Sequence, residues 1–374
     1  MAIVKNKWLV FLLLILAFVT LDTQIRHVNL AQRGIVLGIG IDKVGDEYEV
    51  TCEILSPSNL GAESYQKNRL VTSEKGVSLN ECFEKMDKSV GVRISLKHTV
   101  LIVLGKSVVD VGDYSPLVDL FLGNEVADDT YIVGTEGNAS ELFKARPPMY
   151  RTISYKVAET FRSPDIESGV VSTNVKDFFS RYLSESGGIY IPMVRAVKGS
   201  MSESSGNGEE DTDSLMFGNI MILDKSGKKA VLTDIESEGL SYIFSKVNEA
   251  NIYVDDGGDS FNVDIIETRS DMEYNVDEKR VLVKVTMWVK LGVNNVAHSA
   301  GGFDTKYSEK IELAGETIKK HVESALYTCH SKGVDILGIA SHFMKRMGSE
   351  YKEYLGGDPI GNVRVDVSVR LIAK

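Results

Sequence analysis

The residue types that most often perform chemistry are few and widely separated in this sequence. Its 374 residues include only six histidines. His321 and His330 lie nine positions apart, which places them about 180° out of phase on a helix, so they cannot chelate one metal ion from it. His98 precedes a run of apolar residues and is the histidine that we retain as a catalytic candidate, with a structural role as the alternative.

The three cysteines, Cys52, Cys82 and Cys329, are too few and too scattered for a disulfide framework or a thiolate metal site. Cys52 lies on the apolar side of an alternating strand pattern, and Cys82 lies in an apolar helix stripe. We expect all three to be small core residues.

The short motifs that carry common chemistries are missing. Gly38-Ile39-Gly40 follows apolar residues, but no helix or third glycine follows that could hold a pyrophosphate, so a closely packed strand is the better interpretation. No G-x-S-x-G, Walker loop or H-E-x-x-H occurs. We therefore predict no catalytic, cofactor-binding or metal-binding residues and no cofactor; the residues of any ligand-binding site are unknown.

The composition and the net charge indicate a globular protein and argue against some classes of binding partner. Hydrophobic residues make up 43% of the chain and charged residues 25%, which are ordinary values for globular proteins. The formal net charge of −11 argues against nucleic acid, because phosphate binding needs a basic surface. The charge suits an ectodomain that does not adhere to anionic lipid.

An apolar segment near the start of the chain predicts export. Residues 1–25 contain Lys5 and Lys7, followed by the uncharged stretch Trp8–Leu21. A basic start followed by an apolar stretch of this length is typical of an export signal. Small residues at a cleavage site are poorly represented, so we expect the segment to stay as an uncleaved anchor. The positive-inside rule keeps the start of the chain in the cytoplasm, and the rest of the chain then lies outside the membrane.

Residues 33–146 are predicted to form an N-terminal α+β domain. Gly34–Asp42 is predicted as a strand that forms a hairpin with the alternating strand Tyr48–Ile54. Further predicted elements are a helix capped by Ser78 with Glu81 in a capping box, a central strand at Thr99–Leu104, a strand at Tyr131–Gly134 and a short helix at Ala139–Phe143.

Residues 147–250 are predicted to form a middle α+β domain. The strand Ile189–Val197 contains Pro192, which favours an edge position. The acidic, Gly/Ser-rich residues 203–214 are predicted to be a mobile loop; calcium capture there is the alternative, but the spacing matches no EF-hand. Further predicted elements are a helix ending near Phe161, a helix at Thr173–Leu183, a hairpin of Leu215–Leu223 with Ala230–Thr233, and a helix at Glu236–Val247.

Residues 251–374 are predicted to form a C-terminal α+β domain with one sheet and one helical layer. Two strands show strict alternation of apolar and polar residues, which predicts a sheet with one covered face. A helix of about five turns carries an apolar stripe that would cover it, and Asp335 would cap a second helix. The strands lie at 281–291 and 363–371, with a third around Phe261–Ile265, and the long helix spans about Ile311–Cys329.

Four blocks of sequence, taken in order, resemble the GerAC-like (Ger(x)C) family, the C subunits of spore germinant receptors. They span about residues 33–373, and their shared order is the main support for the resemblance. The blocks are Arg33–Asp42, Ser95–Gly105, the hairpin Gly218–Asp224 with Val231–Leu240, and Val334–Ile339 followed by the closing strand.

The resemblance implies three α+β domains with mixed or antiparallel sheets covered by helices, outside the membrane of a spore-forming bacterium. It also implies a complex with a GerA-type membrane subunit and a transporter-like GerB-type subunit that together respond to nutrients, and no enzymatic activity. Members are typically lipoproteins, whereas no cysteine lies between Leu21 and Gly34, so Trp8–Leu21 is the expected anchor at the outer face of the spore inner membrane. The alternative function is an exported hydrolase, or a binding module, with an unrecognised site.

Overall fold

Two β-sheets of unequal size organise the chain. The structure is a computed structural model, and it describes residues 33–55, 69–123, 125–147, 152–163, 170–205, 208–244, 247, 250–254, 261–291 and 303–373. The predicted export segment Trp8–Leu21 lies outside these residues. Among the described residues, no helix combines the length and the apolar character needed to cross a bilayer.

The first sheet is mixed and contains the hairpin predicted from the alternating N-terminal pattern. Its spatial order is β3-β2-β1-β5-β6-β7-β8-β9, with β4 beside β1. The first hairpin is antiparallel, whereas β5 lies parallel to both β1 and β6. The strands are β1 (Arg33–Val44), β2 (Glu47–Leu55), β3 (Arg69–Gly76), β4 (Arg93–Ser95), β5 (Leu101–Leu104), β6 (Tyr131–Gly134), β7 (Ile189–Ser205), β8 (Gly208–Leu223) and β9 (Lys229–Val231).

Short helices cover this sheet. All four residues of β5 are buried, as expected for a strand with helices on both faces. Ser78 caps the first helix, as predicted: its Oγ accepts a hydrogen bond from the N–H of Glu81 at 3.3 Å. The helices are α1 (Leu79–Val90), α2 (Lys106–Val111), α3 (Ser115–Leu122), α4 (Ala139–Lys144), α5 (Ile153–Arg162), α6 (Val175–Tyr182) and α7 (Asp234–Phe244).

The second sheet has the one covered face that the alternating valines predict. Its order is β10-β11-β12-β13, and only the β12–β13 pair is parallel. Val281, Val283 and Val285 are fully buried beneath the long helix. The elements are β10 (Ala250–Val254), β11 (Phe261–Asn275), β12 (Arg280–Leu291), α8 (Phe303–Ser331), α9 (Ile339–Met347), a 3₁₀ turn (Gly348–Glu350), α10 (Tyr351–Tyr354) and β13 (Arg364–Ala373).

Two predictions in the middle region were wrong. β7 is an interior strand between β6 and β8, although it contains Pro192. The register shifts between Pro192 and Val194, so the proline lies at a bulge, where its missing N–H costs no regular ladder bond. The acidic residues 203–205 and 208–214 also continue the β7–β8 pairing, with Glu203 opposite Glu210, because backbone pairing needs no apolar composition.

The predicted division into domains at residues 146 and 250 stays a prediction. The first sheet continues from β6 to β7 through one register pair, Gly134 with Met193. The apolar core under the second sheet includes Tyr190 and Ile220 from β7 and β8. The two sheets therefore share one apolar core, to which α7, β7 and β8 contribute residues.

The contact between α7 and α8 requires a glycine. A Cβ at Gly239 would lie 2.1 Å from the backbone oxygen of His321. Because real atoms do not approach so closely, any side chain at this position would push the two helices apart. At Gly315, also within a helix, the nearest atom to an added Cβ is a Leu371 methyl at 3.6 Å, an ordinary contact.

These two glycines give a matched pair of alanine variants. Gly239→Ala should lower the free energy of unfolding by about 1–3 kcal/mol through overpacking. Gly315→Ala should raise it by about 0.5–1 kcal/mol, since alanine costs less backbone entropy in a helix. Urea unfolding followed by circular dichroism measures both. A Gly239→Ala protein as stable as the wild type would show that the two helices do not pack this closely.

Candidate functional site: a polar junction between residues 181–188 and 334–341

The structure places the predicted catalytic candidate His98 on an exposed turn before β5. The neighbouring Thr99 is buried, and its backbone N–H donates to the oxygen of Leu96 at 3.0 Å. His98 lines none of the three cavities described below. A general acid or base needs a positioned substrate within hydrogen-bond reach, which an exposed turn does not supply.

The three cysteines are core residues, as predicted. Each is buried and free. Burial raises the pKa of Cys52 and of Cys82, and raises the pKa of Cys329 to about 12. Since the thiolate is the nucleophile and the metal ligand, none of these thiols is prepared for either task at neutral pH. Among the described residues, no group of three histidine, cysteine or acidic side chains is arranged to hold a metal ion.

Two buried carboxylates in the first sheet are occupied by helix N-termini. Glu53 is fully buried and accepts from the Nε of Arg69 at 2.6 Å and from the backbone N–H groups of Ile153 and Ser154 at 3.1 and 3.0 Å. Asp42 accepts from the N–H of Ala139 at 3.1 Å. These side chains fix the starts of α5 and α4 to β2 and β1, which is a structural role.

A set of long-range polar contacts joins two segments, residues 181–188 and 334–341, and we call it the junction. Gly187 forms a parallel bridge with Asp335. A Cβ at Gly188 would lie 2.3 Å from the backbone oxygen of Asp335, so the two backbones are in direct contact. Ser186 and Ser341 exchange hydrogen bonds between backbone N–H and Oγ in both directions, at 3.0 and 2.9 Å.

Asp335 fixes the shape of the C-terminal side of the junction. Its carboxylate is buried and accepts from the backbone N–H groups of Ile339 and Ala340, both at 2.8 Å. The predicted start of this helix directly after Asp335 was wrong: the N-cap residue is Gly338, with a positive φ of 76°, and α9 begins at Ile339. Asp335 nevertheless accepts from the first two N–H groups of α9 from its place before the cap. Tyr274 of β11 also donates to the oxygen of Leu337 at 2.6 Å, which ties the junction to the second sheet.

Arg181 and Glu185 provide the charged contacts on the other side. The Nη1 of Arg181 donates to the oxygen of Ile336 at 3.2 Å, and its guanidinium lies 4.6 Å from the ring centroid of Tyr190. Glu185 accepts from the hydroxyl of Tyr351 and pairs with Lys352 at 2.9 Å. These two partners lower the pKa of Glu185, so it stays ionised at neutral pH.

Three cavities lie around the C-terminal region. An apolar groove of about 310 Å³ is lined by residues of α8, of β13 and of the segment that follows α8, among them Leu326, Val365 and Val334. A polar cleft of about 570 Å³ lies beside the junction, and another of about 680 Å³ lies at the β11–β12 turn. The cleft beside the junction is lined by charges of both signs, among them Lys225, Lys228, Lys332 and Asp358.

The charged groups of that cleft are largely used within the chain. The Nζ of Lys225 donates to the oxygen of Ser184 at 2.9 Å, and that of Lys228 donates to the oxygen of Gly333 at 3.1 Å. His330 is exposed, while the Nδ1 of His321 lies 3.1 Å from a carboxylate oxygen of Glu238. The cleft is suited to polar contacts rather than to nucleophilic chemistry.

The sequence pattern found one side of the junction and missed the other. Val334–Ile339 was singled out as a block with family resemblance, and it forms the C-terminal side. The sequence pattern did not indicate Arg181, Glu185 or Ser186, because charged and small residues near the end of a helix add nothing to the hydrophobic periodicity. The Gly187-Gly188 pair was the available sign, since adjacent glycines often allow close approach of a second backbone.

Two acids in this protein should contribute to stability with opposite dependence on pH. Burial raises the pKa of Glu236, but hydrogen bonds from Thr328 and Thr233 outweigh it and hold the pKa below the usual value. Burial raises the pKa of Asp42 and outweighs the backbone N–H groups of Ala139 and Ser140. The contribution of Glu236 should be present above pH 4.5 and be lost as the pH falls.

Conversely, the contribution of Asp42 should be present below pH 3.8 and be lost as the pH rises through its raised pKa. Urea unfolding of the wild type, Glu236→Gln and Asp42→Asn across the acid range measures this. The stability difference between the wild type and Glu236→Gln should shrink on acidification, and that for Asp42→Asn should grow. Changes of the same sign for both variants would contradict these assignments.

Comparisons with known proteins agree with the fold and with the ordered blocks. A family model described as "Spore germination protein N-terminal domain" matches residues 26–196, and one described as "Spore germination B3/ GerAC like, C-terminal" matches residues 219–372. No curated protein matches the chain.

One solved structure is similar in fold. It is titled "Crystal Structure of the GerBC protein", and it is 14% identical with a TM-score of 0.50 over 90% of this chain and 96% of that chain. The two family models follow one another along the chain and together span most of it. This chain belongs to the GerAC-like family of spore germinant receptor C subunits.

Proposed function

We propose that this chain is a non-enzymatic, extracytoplasmic subunit of a spore germinant receptor and contributes to nutrient-triggered germination. The match of the two family models to residues 26–196 and 219–372 is the observation that carries the proposal. The buried acids Asp42, Glu53 and Asp335 support the non-enzymatic part, because helix N-termini already occupy their carboxylates.

The subunit acts through contacts with a GerA-type membrane subunit and a transporter-like GerB-type subunit. The junction supports this role because it joins the two sheets through hydrogen bonds and a buried acid. Such a network makes the protein rigid, so a partner that binds one sheet can act on the other without a rearrangement of the fold. The net charge of −11 favours specific protein contacts over adhesion to anionic lipid.

The chain is held at the outer face of the spore inner membrane by Trp8–Leu21. Lys5 and Lys7 precede this stretch and keep its start in the cytoplasm. An apolar helix is an adequate substitute for the lipid of related subunits, because a single acyl chain anchors a protein only weakly.

Deletion of the gene tests the function. Spores without the chain should germinate poorly with at least one nutrient, measured as the loss of optical density after the nutrient is added. Complementation with the wild type or with His98→Ala should restore the response equally, because the proposed subunit performs no catalysis. Unchanged responses to every nutrient would contradict the receptor role, and failure of His98→Ala alone, with the protein present at normal level, would favour the hydrolase.

The state of the N-terminus tests the anchor separately. The mature chain should begin near Met1 by intact-mass measurement and should stay with spore membranes after a high-salt wash. Leu14→Arg, which places a charge in the apolar stretch, should release the chain or block its export, whereas Leu14→Ile should behave as the wild type. A mature N-terminus beyond residue 22 would reject the anchor and leave the family assignment unaffected.

A further inference from the structure

The last strand of the second sheet has a free edge. β13 pairs with β12 through ten residues, and in the described part of the chain no strand pairs with its other side. Alternate residues of an edge strand direct their backbone N–H and C=O groups away from the sheet, where they can pair with another strand. A free edge of this length is long enough to accept a complete partner strand.

The apolar side of this edge is incompletely covered. Val365, Val367 and Val369 are half-buried, whereas the valines opposite them on β12 are fully buried. The apolar groove of about 310 Å³ lies between β13 and α8, and it contains Tyr327, which is 72% exposed. An added strand would bury the half-exposed valines and place side chains in this groove.

The polar side of the same strand carries charges of both signs. Arg364 and Arg370 are exposed, and Asp366 lies between them. Asp366 accepts hydrogen bonds from Arg280 at 2.5 Å and from Arg364 at 2.8 Å. Arg370 lies two residues beyond Ser368 and Asp366 lies two residues before it, so the strand is charge-complementary to itself about Ser368.

We propose that two copies of this chain pair through their β13 edges as antiparallel strands, with the two-fold axis at Ser368. In this register Asp366 lies opposite Arg370 of the second copy, and the same pair occurs again across the axis. On the apolar side, Val367 lies opposite Val369 of the second copy, and Val365 lies opposite Leu371. The leucine of each copy then enters the apolar groove of the other.

Two neighbouring registers are less favourable. A shift by one residue places valines opposite charged residues, because side chains alternate between the two faces of a strand. A shift that moves the axis to Val367 places Arg364 opposite Arg370 of the second copy, and like charges in directly opposite positions are destabilising. The register centred on Ser368 pairs opposite charges and also places apolar residues opposite one another, and neither of these two alternatives does both.

Cysteine cross-linking tests the proposed register. Residues on the two-fold axis of an antiparallel pair have Cα atoms about 4.5–5.5 Å apart, within the range that a disulfide spans. The full chain carrying Ser368→Cys, in mild detergent, should form a disulfide-linked dimer on mild oxidation. Asp271→Cys, exposed on β11 of the same sheet, is the matched control and should stay uncross-linked. The native cysteines are buried and should not interfere.

Charge reversal tests the proposed contacts. Arg370→Glu should raise the dimer dissociation constant by at least about tenfold in sedimentation velocity, because acids would face each other at both symmetric pairs. Lys290→Glu makes the same charge change at an exposed residue of β12, and it should change the dimer dissociation constant by less than about twofold.

Three results would overturn the proposal. The first is a wild-type chain that stays monomeric at every concentration. The second is a dimer that neither responds to Arg370→Glu nor cross-links through Ser368→Cys, which would place the interface elsewhere. The third is a cross-link in spore membranes from Ser368→Cys to a different polypeptide, which would show that another partner occupies the edge.

Discussion

Carboxylates buried at the starts of helices impose the constraint on which the rest of this structure depends. Glu53, Asp42 and Asp335 each accept hydrogen bonds from backbone N–H groups that begin a helix and that would otherwise be unpaired. An unpaired buried charge costs several kcal/mol, so the helix and the acid must stay together. Glu53 and Asp42 thereby fix α5 and α4 to strands about a hundred residues earlier in the chain.

The same constraint accounts for the place of the junction in the molecule. The acid of Asp335 shapes the segment that follows α8, and this shape presents the oxygens of Asp335 and Ile336 to Gly188 and Arg181. The two sheets are connected there by backbone contact as well as by apolar packing. A body joined in this way suits a subunit that acts by presenting a fixed surface to membrane-embedded companions.

Much of this fold follows from local patterns in the sequence. The alternation in β12 and β13, the apolar stripe of α8 and the Ser78–Glu81 cap were predicted because neighbouring residues determine them. The interior position of β7 was not predicted, since a bulge after Pro192 depends on its partner strand. The strand pairing of residues 203–205 with 208–210 was also missed, because the composition of this stretch resembles that of a loop. Arg181 contacts a residue 155 positions away in the chain, and hydrophobic periodicity does not detect such long-range contacts.

Isolation of the chain from detergent-solubilised spore inner membranes tests the central claim most directly. With an affinity tag at its C-terminus, the full chain should bring with it a GerA-type and a transporter-like GerB-type subunit in constant proportion, and a tagged unrelated membrane protein should bring neither. The account predicts that these two subunits are enriched with the chain in repeated preparations. Recovery of the chain alone from membranes in which both subunits are present and intact would contradict it.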